Sequence, residues 1–218
     1  MNDRRIRTLV AAALLVGSSV TLAPSVAATH QDGSLWRNYP WSGYNNMVWW
    51  RFDDGFPAGA YQTRVSEARF NWNKANSHLY FYWDQSATVG PQSNVSVRWI
   101  DITTPIPDNT LGLAFLQGCP VPQDRNCYGT INIDKYAAGY AWYTGTITTV
   151  PAQQFDLETL AAHEWGHLLQ FSHDTSSSSY VMDAPLDFAF QNRCPNNHEV
   201  STLRSMYGAH GTAQSCVE

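Results

Sequence analysis

Charge is scarce in this chain. Only 14% of its 218 residues are charged, and lysine occurs only at Lys74 and Lys135. With 13 Lys+Arg against 18 Asp+Glu, the formal net charge is −5. A basic surface that would hold nucleic acid by its phosphates is therefore not expected. Tandem repeats are lacking, which excludes solenoids and propellers. The four cysteines form no Cys-x-x-Cys pair, which argues against a cysteine-held structural zinc. Beyond the N-terminus no apolar run is long enough to span a bilayer. What is present is 44% hydrophobic and 13% aromatic. That is too apolar for a disordered chain and suits one compact domain.

Residues 1–28 have the layout of a secretory signal. Arg4, Arg5 and Arg7 precede an apolar run from Leu9 to Leu22, and small residues follow through Ala28. Cleavage is expected after Ala27 or Ala28, giving a secreted protein with no membrane attachment. A cut after Ala27 takes Lys+Arg from 13 to 10 and Asp+Glu from 18 to 17, a net charge of −7. Residues 29–46 read as an irregular arm and 47–218 as the domain. Export permits disulfides. Cys119, Cys127, Cys194 and Cys216 admit three pairings. The local pairs Cys119–Cys127 and Cys194–Cys216 are favoured, because each closes a turn-rich loop.

Along the domain, Met47–Phe52 reads as a first strand and 60–76 as a helix. Leu79–Trp83 and the alternating Val95, Val97 and Trp99 read as strands. Leu111–Phe115 and Thr130–Asp134 read as two more. A strongly helical stretch covers Leu157–Leu169, with Asp156 as its expected N-cap. The fold class expected is α+β. Asn94-Val95-Ser96 is a glycosylation sequon. Tyr140, Trp142 and Tyr143 are core by default, with cleft lining as the alternative. His30, His78, His198 and His210 lack ligand spacing.

The chemistry lies at His163-Glu164-Trp165-Gly166-His167. Histidines four apart share one helix face, so both imidazoles can reach one ion, with Glu164 beside them as a general base. Random placement of 7 His and 5 Glu in this chain gives about 0.005 such motifs. His173 follows His167 by six residues. It can supply a third ligand if the helix stops near Gln170 and the chain turns back. Three protein ligands leave a fourth position for water, the layout of a catalytic site.

These residues resemble the metzincin metallopeptidases, most closely the matrixin type, over about 160 residues from Met47 to Gly208. The resemblance implies a zincin catalytic domain: a mixed twisted sheet, an active-site helix, a Met-turn and a C-terminal helix. It implies that His163, His167 and His173 hold zinc and that Glu164 is the base. Met182, in Tyr180-Val181-Met182, takes the place of the Met-turn methionine. By the same analogy Leu111, Gly112 and Leu113 lie on the edge strand that pairs with extended substrate. Pro185 and Leu186 would wall a specificity pocket, with Thr159 near its floor. Leu203 to Gly208 resembles the end of the closing helix.

The chain also departs from the matrixin pattern. Gln170 stands where the family usually has glycine, at a turn often of positive φ. Leu113 and Asn132 replace two histidines of a second, structural zinc, so that ion is not expected. The acidic balance leaves room for calcium. Asp174 follows the third histidine as in the adamalysin branch. Eighteen residues (29–46) precede Met47, too few for a folded inhibitory pro-segment.

The expected activity is that of a secreted zinc-dependent endopeptidase acting through a zinc-activated water. Its partner would be an extended protein or peptide substrate, and a monomer is the default state. Two alternatives stand beside it: a secreted zinc-binding interaction module on a degenerate metzincin fold, and a zinc amide hydrolase of cell-wall material.

Overall fold

The computed structural model describes residues 47–84, 94–102, 110–117, 128–147, 149–174, 179–183 and 186–216. The signal, the arm, the Cys119–Cys127 pairing and Pro185 fall outside the described residues. Among those described, the chain is mixed α/β, with a mostly parallel sheet and three α-helices. This fits the α+β expectation.

The elements run β1 (Met47–Phe52), α1 (Ala60–Asn73), β2 (Tyr80–Trp83), β3 (Val95–Ile100), β4 (Gly112–Gln117) and β5 (Tyr128–Asp134). Then come β6 (Ala141–Tyr143), β7 (Gln154–Asp156), α2 (Leu157–Leu168) and α3 (Asn197–Tyr207). The five-stranded sheet has the order β2-β1-β3-β5-β4. Its pairings are parallel except β4 with β5, which is antiparallel. β4 is thus an edge strand, and Gly112 lies opposite Ile133.

Alternation makes the strands. Val48 and Trp50 of β1 are buried while Met47 and Trp49 face outward, the period of a pleated ribbon. β5 is buried from Gly129 to Asp134, as suits an interior strand. The apolar face of the sheet is covered by α1 and α2, which pack on each other. Trp165 of α2 is fully buried and meets Trp50 and Phe81 edge-on or tilted, with centroids 5.4 and 4.8 Å away. Trp72 of α1 donates its indole N–H to the Ala162 carbonyl at 2.8 Å. That bond fixes the two helices in register.

α1 ends at Asn73, three residues short of the expected end. The cause is Asn76, which takes a left-handed φ of 47° and breaks the helical path. β6 and β7 form a separate parallel pair that the sequence pattern does not announce. Three residues per strand carry no readable period. The sequon is closed to modification in the fold. Asn94 is buried, and its side-chain oxygen accepts the Trp49 N–H at 3.1 Å. Cys194 and Cys216 are disulfide-bonded, as favoured.

Candidate metal centre

α2 begins as its sequence predicts. The Asp156 carboxylate accepts the Thr159 N–H at 3.0 Å and the Thr159 hydroxyl at 2.6 Å, which makes it a true N-cap. The helix ends at Leu168, and the chain reverses in a paired turn. Gln170 N–H donates to His167 C=O at 2.9 Å, and Phe171 N–H donates to Gly166 C=O at 3.0 Å. This is the Schellman pattern. Its left-handed residue is Gln170, with φ 69°. The turn at Gln170 therefore has the positive φ expected, at a cost of about 1 kcal/mol for a residue with a Cβ.

That turn carries the chain back across α2 and brings three histidines together. His167 Nε2 lies 3.0 Å from His163 Nε2 and 3.1 Å from His173 Nε2. His163, His167 and His173 are the group of described residues close enough to hold one metal ion. The donor chemistry decides what the short N···N distances mean. His163 Nδ1 faces the Val181 carbonyl at 2.9 Å, and His167 Nδ1 faces the Phe171 carbonyl at 2.9 Å. A carbonyl only accepts, so both Nδ1 atoms carry the proton. Both Nε2 atoms are then lone pairs, and no hydrogen bond can join them. Two lone pairs at 3.0 Å repel unless a cation sits between them, so this donor set fits a metal.

Burial keeps the rings neutral. It lowers His163 well below the ordinary histidine value, and the neighbouring His167 and His173 add to this. His167 is lowered to about 4, mainly by burial. His173 is lowered for the same reason. Neutral imidazole is the ligand form.

Glu164 is buried beside them, 4% exposed. Burial raises its carboxyl to about 8, against the pull of an Ala114 N–H hydrogen bond. Its Oε2 is buried and has no hydrogen-bond partner. Edge strand β4 passes directly over it. A Cβ at Gly112 would meet Glu164 Oε1 at 2.6 Å and Leu160 Cδ1 at 3.0 Å. Glycine is what lets the strand lie this close.

Met182 is fully buried under α2. A Cβ at Gly166 would lie 2.2 Å from its sulfur, so glycine and methionine fill one space. The turn around Met182 is held from both sides. Asp174 N–H donates to the Met182 carbonyl at 2.8 Å. Glu199 Oε1 accepts the Met182 N–H at 3.0 Å, and the Glu199 carboxylate also accepts from Val181 N–H. Sequence reasoning missed Glu199. Its signal was Asn196-x-x-Glu199, a capping box that opens α3 and has both reciprocal bonds.

The remaining candidates divide. Leu111 accepts the Asp134 N–H through its carbonyl at 2.9 Å, and Leu113 lies opposite Asn132, so 111–113 do run along the edge. Thr159 sits one turn before His163 but is buried. Its hydroxyl is taken by Asp156 and by the Asn192 N–H at 2.9 Å. Leu186 packs half-buried against the core. Trp142 and Tyr143 are buried, and the Trp142 indole donates to Asp134 C=O at 2.8 Å. These two are core. Tyr140 is 51% exposed and rests on Phe188.

No family model and no curated protein matches this chain. The reading of the site rests on its own residues.

Proposed function

We propose that this chain is a zinc-dependent endopeptidase of metzincin type, acting on polypeptide held in extended form. The observation that carries the reading is the partnerless Oε2 of buried Glu164, one residue from a pair of facing imidazole lone pairs. Zinc takes nitrogen ligands at about 2.0–2.1 Å in a tetrahedral set, which spaces the nitrogens roughly 3.3 Å apart. The spacings of 3.0 and 3.1 Å lie close to that. Zinc bound there supplies Lewis acidity, polarising a carbonyl and making a water acidic near neutral pH.

The rest is done by side chains and backbone. Glu164 takes the proton of the attacking water at its Oε2 and passes it to the departing amine nitrogen. A cation held by the neighbouring histidines would favour the charged carboxylate of Glu164, the form that accepts that proton. β4 offers substrate an edge to pair with, and strand addition reads backbone rather than side chains. Buried His163, tied to Val181, and His167, tied to Phe171, keep their rings aimed with little freedom to swing. The proposal includes export, a setting compatible with the Cys194–Cys216 disulfide.

The test is digestion of an unfolded protein such as casein by the zinc-loaded chain, beside Glu164→Ala at equal zinc content. Cleavage by the wild type should fall about 10²- to 10⁴-fold in the variant, the range for loss of a general base. Equal rates for the two proteins would end the reading.

A further inference from the structure

A groove lies in the β1–α1–β2 unit, built without residues of the metal centre. β1 and β2 are parallel neighbours joined by α1. The chain then passes from β2 to β3, on the opposite side of β1. A sheet whose order reverses in this way leaves a crevice at the carboxyl ends of its strands. Here the crevice holds about 530 Å³, within the range of small-molecule sites. Phe52 and Trp83, the last residues of β1 and β2, line it together with Arg69 and Phe70 of α1. The rings of Phe70 and Trp83 are left 43% and 39% exposed.

Arg69 is the cation of this groove. Its Nη1 donates to the Phe81 carbonyl at 3.0 Å. Its guanidinium carbon lies 5.5 Å from the centre of the Trp50 ring and 5.7 Å from that of Phe70. Its Nε is buried and has no hydrogen-bond partner. Nη2 has none either among the described residues, and it is open to solvent. Burial lowers the Arg69 pKa, and neighbouring Tyr80 offsets part of this. Arg193 uses the same edge of its guanidinium, Nε and Nη2, to hold both oxygens of Asp156. In Arg69 that edge holds no carboxylate. Glu67, the acidic residue of the lining, is paired with Arg64 at 2.6 Å instead.

We propose that this groove binds a small aromatic carboxylate, with the acid on the Nε–Nη2 edge of Arg69 and the ring against Phe70 and Trp83. A planar carboxylate matches both N–H bonds of that edge at once. A buried donor without an acceptor costs folding free energy, and the ligand removes that cost. An aromatic body covers the two exposed rings and meets them edge-to-face or offset. A neutral amide of the same shape has one acceptor oxygen and answers only one of the two N–H bonds. The site stands whether or not the chain cuts polypeptide.

The probe is indole-3-acetate, titrated calorimetrically into the zinc-loaded chain beside its neutral amide, indole-3-acetamide. The acid should bind at one site, about tenfold or more tighter than the amide. Arg69→Gln should weaken the acid about ten- to a hundredfold, the scale of a lost charge-assisted hydrogen bond, and narrow its lead over the amide. Thr63 is an exposed residue of the lining. Thr63→Trp fills the groove from that rim and should weaken both ligands, and it serves if Arg69→Gln does not fold. Equal affinity for acid and amide, or no saturable heat up to about 10 mM, would overturn the proposal. So would acid binding unchanged by both variants. Loss of that binding on zinc chelation would then place the carboxylate on the metal.

Discussion

At the N-terminal end of α2, Asp156 and Glu158 lie buried with Arg64 and Arg193. Toward the other end Glu164 and His163 lie buried, with half-buried His167 and exposed His173 beside them. In the first group every carboxylate oxygen has a donor. Asp156 is held by Thr159 and Arg193, and Glu158 by Asn71 and Arg64. In the second group Glu164 Oε2 has none, and imidazole lone pairs face each other. A buried polar group without a partner costs about 1–3 kcal/mol. The protein thus completes the carboxylates at one end of the helix, where Arg64 Nε is the one polar atom of the group without a partner, and leaves the Glu164 carboxylate incomplete at the other. Completeness is what folding alone requires, and the deficit at the second end is where a ligand belongs.

Breaking the complete end should cost stability most. Arg64→Met removes the 2.9 Å partner of Glu158 Oε2 and leaves that buried charge with Arg193 Nε, 3.5 Å away, as its remaining cation. Urea unfolding should show a loss of about 1.5–3 kcal/mol, the scale of a lost hydrogen bond to a charged group, with the three histidines left in place. Breaking the incomplete end should instead cost activity. Gly112→Ala places a Cβ 2.6 Å from Glu164 Oε1, and the carboxylate must move. Turnover should fall about 100-fold, the penalty for a displacement near 1 Å, with little change in melting temperature.

A subtler probe is pH. Burial raises Glu199 from 4.5 to about 6 despite hydrogen bonds from Asn196, Met182 and Val181. The folded state therefore binds this proton more tightly than the unfolded chain. Stability from this group is full below pH 4.5 and declines as pH rises to about 6, by about 2 kcal/mol. Unfolding free energies of wild type and Glu199→Gln, compared across that window, should diverge in this direction. The smallest effect is expected at the turn. Gln170→Gly relieves a φ of 69° and should stabilise the fold by up to about 1 kcal/mol, with zinc binding intact.

Much of the metal end was legible because its signals are local. Histidines four apart, the Asp156 cap and the turn at Gln170 are each set by neighbours within a few residues. So are β1, an apolar and aromatic run, and β3, whose alternation is its own. The complete end was not legible. Arg193 lies 37 residues from Asp156, and Arg64 lies 94 from Glu158. No periodicity announces a contact across such distances. Asn94 shows the same limit, since its sequon is local but its burial against Trp49 is not.

The Cys194–Cys216 bridge closes a span of 22 residues that contains all of α3. By loop closure alone such a link is worth about 3 kcal/mol. Under the proposed endopeptidase reading, the chain is also exposed to copies of itself. A single nick inside this span would leave both pieces covalently tethered, with Glu199 still delivered to the turn it supports. The bridge would make the segment around α3 tolerant of such a cut.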